Sequence, residues 1–339
     1  LPRVFTINLD NSNTSRCDMG SMDGYLQALS LVAILILAPM TIHLIVHKEE
    51  NTVFVYVEGD SEDNEQDDDV VGREIPQLNR SEVARIATFN IKVFGKAKMD
   101  KPEVVSQLVD TVLQYDMVAV QEVKDIDQTV PHEFLDEINN ASGGSWNMSL
   151  SPRSGLQDDD QSSQEQYVYY YNTTVFAEIG AGQLYNDSQS DYFQREPYIA
   201  SFELLNASGN TSGFNFTIFT IHTKPASAVS EIDALHEVVE SYRENNTAET
   251  DLIILGDFNA DCSYANSQEL WESPMRLPQY NWLVNDLADT TVSSTHCAYD
   301  RIVTLDELNG RLVGSWGIDT SITNTSVSDH YPVWFDLFR

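Results

Sequence analysis

From Val83 onward the chain alternates short apolar segments with amphipathic ones, and this alternation restricts the folds open to it more than any other feature. Eight segments read as strands: 83–90 (VARIATFN), 117–123 (MVAVQEV), 166–171 (QYVYYY), 198–205 (YIASFELL), 214–222 (FNFTIFTIH), 251–259 (DLIILGDFN), 299–305 (YDRIVTL) and 331–338 (YPVWFDLF). Several alternate apolar with polar residues, whereas LIIL at 252–255 is apolar on both faces and needs cover on both. Residues 102–114, 130–140 and 226–245 carry helical spacing; in the last, Val229, Ile232, Leu235, Val238 and Val239 share one face. The mixture predicts an α/β chain of two packed sheets with helices outside.

The strands end on a recurring set of polar residues. Asn90 closes the first, Glu122 follows VAV, His222 closes FTI, Asp257 and Asn259 follow LIIL, and Asp300 opens RIV. Asp329 and His330 precede YPVW, and Glu165 precedes QYVYYY. Because a strand puts i and i+2 on one face, Asp257 and Asn259 can point together beyond the strand's end. Singly, each has an ordinary explanation: Asp and Asn cap turns, a lone Glu is a solvated charge, a lone His packs. His43, His47, His132, His236 and His296 are read that way.

The set as a whole points to chemistry, since loops at strand termini are where sheet proteins assemble sites. Asn90, Glu122, Asp257, Asn259 and Asp329 are hard oxygen donors of the kind Mg²⁺ or Ca²⁺ requires, and no Cys-rich or His-rich cluster suits zinc. His222 and His330, with Glu165 and Asp300, supply two imidazoles that carboxylates can orient, one to take a proton from water and one to give a proton to a departing oxygen. Metal, acid and base together predict phosphodiester hydrolysis. A serine hydrolase is disfavoured because the chain has no G-x-S-x-G.

Charge bears on the substrate. Lys+Arg number 19 against 53 Asp+Glu, a net charge of −34, which excludes a protein that grips polyanions by overall charge. From Val83 onward 14 Lys+Arg face 38 Asp+Glu, leaving about −24 in this part alone. A nucleic-acid partner therefore needs a local exception or bound cations. The same charge suits a halophilic protein or calcium-rich surroundings, between which composition does not choose.

Asn-x-Ser/Thr acceptors occur at Asn13, Asn79, Asn140, Asn147, Asn172, Asn186, Asn206, Asn210, Asn215, Asn245 and Asn324, eleven where 23 Asn and 53 Ser+Thr in 339 residues give roughly four by chance. The excess predicts a glycosylated secretory protein. Of three cysteines, a bond between Cys262 and Cys297 in an oxidising compartment would be worth roughly 3–4 kcal/mol, leaving Cys17 as the odd one. Leu26 to Val46 is 21 residues without Asp, Glu, Lys or Arg, long enough for a membrane anchor and also readable as a signal segment. The acidic run EGDSEDNEQDDD at 58–69 should repel itself and stay extended. The chain is thus divided into an N-terminal extension (1–48) with its apolar segment (26–46), an acidic linker (49–82) in which TVFVYV is an unexplained apolar patch, and a catalytic domain (83–339).

The segments ATFNIKVFG, MVAVQEV, QREP, IHTKPASAVSEIDAL, LGDFNADCSY, DTTVSSTHCAYDRIV and SDHYPV resemble, in order and spacing, the deoxyribonuclease I family of the exonuclease-endonuclease-phosphatase superfamily, over about Val83 to Arg339. The resemblance implies a four-layer α/β/β/α sandwich and an endonuclease that leaves 5′-phosphate and 3′-hydroxyl ends on DNA. It implies catalytic pairs His222 with Glu165 and His330 with Asp300. Metal and phosphate contacts would fall at Asn90, Glu122, Asp257, Asn259 and Asp329, with Mg²⁺ (or Mn²⁺) as the ion. Cys262 and Cys297 match the family's structural disulfide. DTTVSST resembles a calcium loop with Asp289, Thr291, Ser293 and Thr295 as ligands, and Asp187, Asp191, Phe193 through its carbonyl, and Glu196 form a second candidate Ca²⁺ set. Lys124, Arg195 and Tyr264 are the expected DNA contacts. Where the family places a tyrosine before the catalytic Glu, this chain has Ser163 and Gln164 in the longer DDDQSSQE, whose Asp158 to Asp160 should repel a phosphate backbone.

The expected protein is therefore a secreted, monomeric DNA endonuclease, with a tether through 26–46 as the alternative to secretion. Two other functional readings stand beside it: a lipid phosphodiesterase of the same superfamily, like a sphingomyelinase, and a binding protein on this fold, since some family members bind actin.

Overall fold

The computed structural model describes residues 3–8, 46–49, 52–57, 80–305, 308 and 310–339. The chain divides into two compact units, Leu1–Asp68 and Asp69–Arg339. In the first, β1 (Arg3–Asn8), β2 (Val46–Glu49) and β3 (Thr52–Val57) form an antiparallel sheet with β3 in the middle. Thr52–Val57, placed in the linker by sequence, is thus a strand; its β-branched and aromatic run is what a central strand selects. The acidic run 58–69, Cys17 and the apolar segment other than Val46 lie outside the described residues. No helix among the described residues is long and apolar enough to cross a membrane.

The second unit holds two six-stranded sheets. One has the order β14-β15-β4-β5-β7-β6, from β4 (Val83–Phe94), β5 (Met117–Val123), β6 (Trp146–Leu150), β7 (Gln166–Asn172), β14 (Leu312–Ile318) and β15 (Val333–Phe338). The other has the order β12-β13-β11-β10-β9-β8, from β8 (Phe176–Leu184), β9 (Tyr198–Leu205), β10 (Thr211–His222), β11 (Leu252–Asp257), β12 (Tyr280–Trp282) and β13 (Asp300–Leu305). Each sheet has one parallel pair at its centre, β4 with β5 and β10 with β11, and the other neighbours run antiparallel.

Three apolar layers hold this together. Between the sheets, Ile86, Met117 and Ala119 share a core with the aromatic side chains of Tyr169, Tyr198, Phe202 and Phe216 and with Ile253 and Leu255. Outside the first sheet, the helices Pro102–Val112 and Val130–Ser142 pack Val104, Leu108, Phe134 and Ile138 over Phe89, Val118 and Val120. Outside the second, the helix Ala228–Asn245 lays Ile232, Leu235, Val238 and Val239 on Phe219, Ile221 and Ile254. The result is the four-layer α/β/β/α sandwich, and it explains why LIIL is apolar on both faces: Ile253 and Leu255 face the other sheet while Leu252 and Ile254 face the helix.

Just beneath one end of the sandwich a polar bridge ties the sheets. Thr88 Oγ1 donates to Gln121 Oε1 at 3.2 Å, and Gln121 Nε2 crosses to Thr220 Oγ1 at 2.9 Å, all fully buried. Satisfied buried polar groups of this kind fix one register where apolar contacts alone would allow sliding. The strand ends that sequence reading singled out emerge directly above this bridge.

Candidate active site

Backbone irregularities aim the site residues. The β5–β7 pairing skips between Val120 and Val123, and Glu122 within the skip has φ 61°. The β4–β5 pairing skips between Asn90 and Phe94, where Val93 has φ 49°. Asn259 follows at φ 46°. Non-glycine residues in this region cost of order 1–3 kcal/mol each, and they persist where surrounding bonds over-determine them. At Gly256 the approach of β11 to β10 is so close that a Cβ would lie 2.0 Å from Ile221 O, so only glycine can precede Asp257.

These turns bring two carboxylates onto one amide. Asn90 Nδ2 donates to Glu122 Oε1 at 3.0 Å and to Asp257 Oδ2 at 2.9 Å. Glu122 Oε2 accepts from Val93 N at 2.8 Å, and Asp257 Oδ1 accepts from Asn259 N at 2.9 Å. Asn90 Oδ1 is engaged by Lys92 N at 2.9 Å. Asn90, expected as an oxygen donor, therefore presents its nitrogen to the site and acts as the clasp of the two acids.

Both imidazoles face the same atom. His222 Nδ1 lies 2.9 Å from Glu165 Oε2 and His330 Nδ1 lies 2.7 Å from Asp300 Oδ2, while each Nε2 stands 3.6 Å from Asp257 Oδ2. Each pair is assembled across the sandwich: His222 ends β10 and its acid precedes β7 of the other sheet, and His330 precedes β15 while its acid opens β13. Burial and the Arg195 guanidinium would lower the His222 pKa, yet Glu165 and Asp257 reverse this and leave it raised. Burial would also lower that of His330, and Asp300 with Asp257 push it up to about 10. Glu165, which burial alone would raise, is held down to about 2 by His222, Arg195 and Lys124.

Two braces escaped the sequence reading. Lys98 is buried, and its Nζ donates to Ile91 O (3.0 Å), Lys92 O (2.6 Å) and Val327 O (2.7 Å), matching three donors to three carbonyls. Ser328 Oγ donates to Asn90 O at 2.6 Å. Together they stitch the segment after Asn90 to the segment carrying Asp329 and His330. The Lys98→Met variant is expected to lose about tenfold in kcat with KM within about twofold, because placement of groups rather than binding is disturbed; steady-state kinetics on a plasmid checks it. A lysine four residues after the end of β4 gives no sequence signal of this role.

Comparison with known proteins accords with this geometry. The pattern of the Endonuclease/Exonuclease/phosphatase family matches residues 87–330. The deoxyribonuclease-1 of Rattus norvegicus is 37% identical over 273 residues, covering 76% of this chain and 92% of the relative. That of Homo sapiens is 35% identical over 269 residues, covering 74% and 90%. The chain is a member of the deoxyribonuclease I family. Among solved structures, an endonuclease/exonuclease/phosphatase from Bacteroides vulgatus shares the fold with TM-score 0.52 at 14% identity, covering 75% of this chain and 98% of that one.

For a deoxyribonuclease I family member the donor chemistry at the centre fits a hard divalent ion. Glu122 and Asp257 converge on the Asn90 amide, with His222 Nε2 4.0 Å from Glu122 Oε1 and 3.6 Å from Asp257 Oδ2, and Asp257, Asp300 and His330 offer atoms within 4.8 Å of one another. Asn259 Nδ2 is tied to Thr223 O at 3.0 Å. Asp329 stands on the rim, its Oδ2 2.6 Å from Lys92 Nζ.

The three expected DNA contacts are placed differently from one another. Tyr264 is half-exposed and lies against Tyr299 with centroids 5.2 Å apart and the rings tilted by 30°, and Tyr299 in turn lies 6.0 Å from the His330 ring. Lys124 Nζ lies 3.2 Å from Glu165 Oε1, beside the site. Arg195, expected on a phosphate, is buried: Nε donates to His222 O and Nη2 to Thr223 O, both at 2.9 Å, and Nη1 lies 3.5 Å from Glu165. Its guanidinium therefore holds the His222 turn and its acid in place, which is how a buried cation is tolerated.

The family disulfide is formed: Cys262–Cys297 spans a sequence separation of 35 with Cα atoms 5.8 Å apart, tying the loop after Asp257 to the approach to Asp300. Of the two candidate calcium sets, the first is linked by hydrogen bonds within one loop. Asp289 Oδ1 accepts from Thr291 N at 3.1 Å and Thr291 Oγ1 at 2.9 Å, and Thr291 Oγ1 also reaches Thr295 O, with Ser293 bonded to Thr295. Asp187 Oδ2 accepts from Phe193 N at 3.0 Å, and Glu196 is raised by burial and by the nearby Asp187 and Asp191. Glu196 Oε2 is buried without a hydrogen-bond partner, but among the described residues Asp187, Asp191 and Glu196 do not bring three ligand atoms within 4.8 Å of one another as Asp257, Asp300 and His330 do.

Proposed function

We propose that this protein is a secreted, divalent-cation-dependent endonuclease that hydrolyses DNA phosphodiester bonds to 5′-phosphate and 3′-hydroxyl ends. The observation that carries the reading is that both imidazole Nε2 atoms stand 3.6 Å from Asp257 Oδ2, each backed by its own buried acid. Membership of the deoxyribonuclease I family supports DNA as the substrate.

The chain's own groups divide the work. One imidazole takes a proton from the attacking water and the other gives its proton to the departing 3′ oxygen, while Glu165 and Asp300 hold the rings in the required tautomer and stabilise their charged forms. Glu122 and Asp257 would hold Mg²⁺ or Mn²⁺, which when bound neutralises the scissile phosphate and polarises its P–O bonds. Asp289 with Thr291, Ser293 and Thr295, and Asp187 and Asp191 with Glu196 and the Phe193 carbonyl, would hold structural Ca²⁺. Supercoiled plasmid should be nicked with Mg²⁺ and Ca²⁺ present and left intact in chelator; full cleavage in chelator overturns the reading, and release of phosphocholine from sphingomyelin at a comparable rate would replace the substrate.

Affinity should be limited by the acidic loop at the mouth. Asp158 and Asp159 are exposed, and their φ values of 48° and 60° are ones asparagine also tolerates. Replacing Asp158 and Asp159 together by Asn, with Asp160 kept so that no Asn-x-Ser acceptor arises with Ser162, is expected to lower KM for duplex DNA about threefold at low salt, the gain shrinking as salt screens it. Kinetics at two ionic strengths measure both effects.

A further inference from the structure

The excess of glycosylation acceptors is not absorbed by the catalytic reading, and the fold sorts them. The site lies at one end of the sandwich, where β4, β5, β10 and β11 finish and β7, β13 and β15 begin. The opposite end is joined by short connections, among them 143–145, 173–175, 206–210 and 246–251, whereas the site end carries the long loops 151–165, 185–197, 258–266 and 283–299. Chance would put most acceptors in the longer loops.

The reverse is found. Of the nine acceptors in the described residues, Asn140 and Asn245 lie in the last turns of helices that feed the far ends of β6 and β11. Asn172 ends β7, Asn206 and Asn210 form the β9–β10 turn, and Asn147 and Asn215 lie near the far ends of β6 and β10. Asn215 is seven residues before His222 along its strand, about 23 Å at ~3.3 Å per residue. Only Asn186 and Asn324 of the nine are on the site end, in loops that leave β8 and β14, each an edge strand two places out from the central pair of its sheet. None of the nine is buried. At Asn172, Asn206, Asn186 and Asn324 the side-chain oxygen accepts from the backbone N–H two residues on, at 2.9, 2.9, 3.2 and 2.9 Å, folding the acceptor against its own Ser or Thr.

We infer that the pole opposite the active site is a glycan-bearing surface, and that the mouth is kept bare so that a long polyanion can reach it. The inference rests on the secretory reading above. In the modification the Asn Nδ2–C1 bond of the sugar forms as the C1–O bond to a lipid-linked oligosaccharide diphosphate breaks; the lipid diphosphate departs and the amide proton passes to the transferase's base. The sugar on Asn147 would also cover β6, an exposed sheet edge open to pairing with another chain.

The test takes the full chain expressed in secreting animal cells behind a strong cleavable secretory leader, and the protein recovered from its natural source, and maps sugars on both by endoglycosidase release in ¹⁸O-water with peptide mass spectrometry. With the leader, label is expected at most of Asn140, Asn147, Asn172, Asn206, Asn210, Asn215 and Asn245, and enzymatic removal of the sugars should change plasmid nicking by less than about twofold. Bare far-pole acceptors in the led chain, or label confined to Asn186 and Asn324, overturn the inference. Sugar on the led chain but not on the protein recovered from its natural source overturns the secretory reading and, with it, the natural occurrence of the modification. A second variant tests the bare mouth: Asp160→Asn creates an acceptor there with Gln161 and Ser162, and its glycosylated form should lose at least tenfold in nicking, regained on endoglycosidase treatment. Undiminished nicking by that glycosylated form refutes the role assigned to the bare mouth.

Discussion

His222→Ala and His330→Ala should each lower plasmid-nicking kcat by about 10²- to 10⁴-fold, the range a positioned general acid or base supplies. Their stabilities should diverge. Glu165 keeps Lys124 and Arg195 when His222 is removed, whereas Asp300 is fully buried and loses the imidazole that holds its charge when His330 is removed. A buried carboxylate stripped of its partner costs a few kcal/mol or takes up a proton, so His330→Ala should melt lower at neutral pH and His222→Ala close to the parent. Thermal melts at pH 7 check this. Kinetics on a phosphodiester with a p-nitrophenolate leaving group then assign the roles: the variant lacking the acid is rescued more than tenfold, because that leaving group needs no proton, and the variant lacking the base is not.

Asp257→Asn should be at least as damaging, with a loss of about 10³-fold or more. One carboxylate here faces both imidazoles and, with Glu122, supplies the charge for the metal. A loss of that size corresponds to about 4 kcal/mol in the barrier. The change should also flatten the pH dependence of metal-free stability. His330 has a folded pKa raised to about 10, so its contribution is complete below the unfolded value near 6.5 and disappears as pH rises through about 10. Asp257 runs the other way: its pKa is lowered in the fold by His330 and His222 against the effect of burial, so its contribution is complete above the unfolded value near 3.9 and is lost as pH falls through the lower folded value. Melting temperature in chelator should therefore fall from pH 6.5 to 10 in the parent, and fall less in Asp257→Asn.

What could be read in advance follows from burial. The eight strands read from the sequence are the inner ones of both sheets, where apolar runs are dense. The four that escaped in this domain, β6, β8, β12 and β14, are the four sheet edges. Edge strands are half-exposed and short or glycine-containing, as in WNMSL, FAEIGAGQL, YNW and LVGSWGI, and they give no strong apolar period. The site was legible as a set of residue types at strand ends, because a strand's last residues must emerge at its terminus. Roles decided by side-chain direction were not: Asn90 turns its nitrogen inward, Arg195 folds beneath His222, and Lys98 reaches three carbonyls that are distant in sequence. The family resemblance carried the Cys262–Cys297 pairing, which spacing alone leaves open.

Because each imidazole draws its acid from the opposite sheet, neither half of the sandwich owns a complete proton relay. A small slip between the halves would uncouple both relays at once, long before either half lost its hydrogen-bonded strands. Turnover thus doubles as a gauge of alignment: mild pressure or low denaturant should silence the enzyme while circular dichroism still reports an intact molecule.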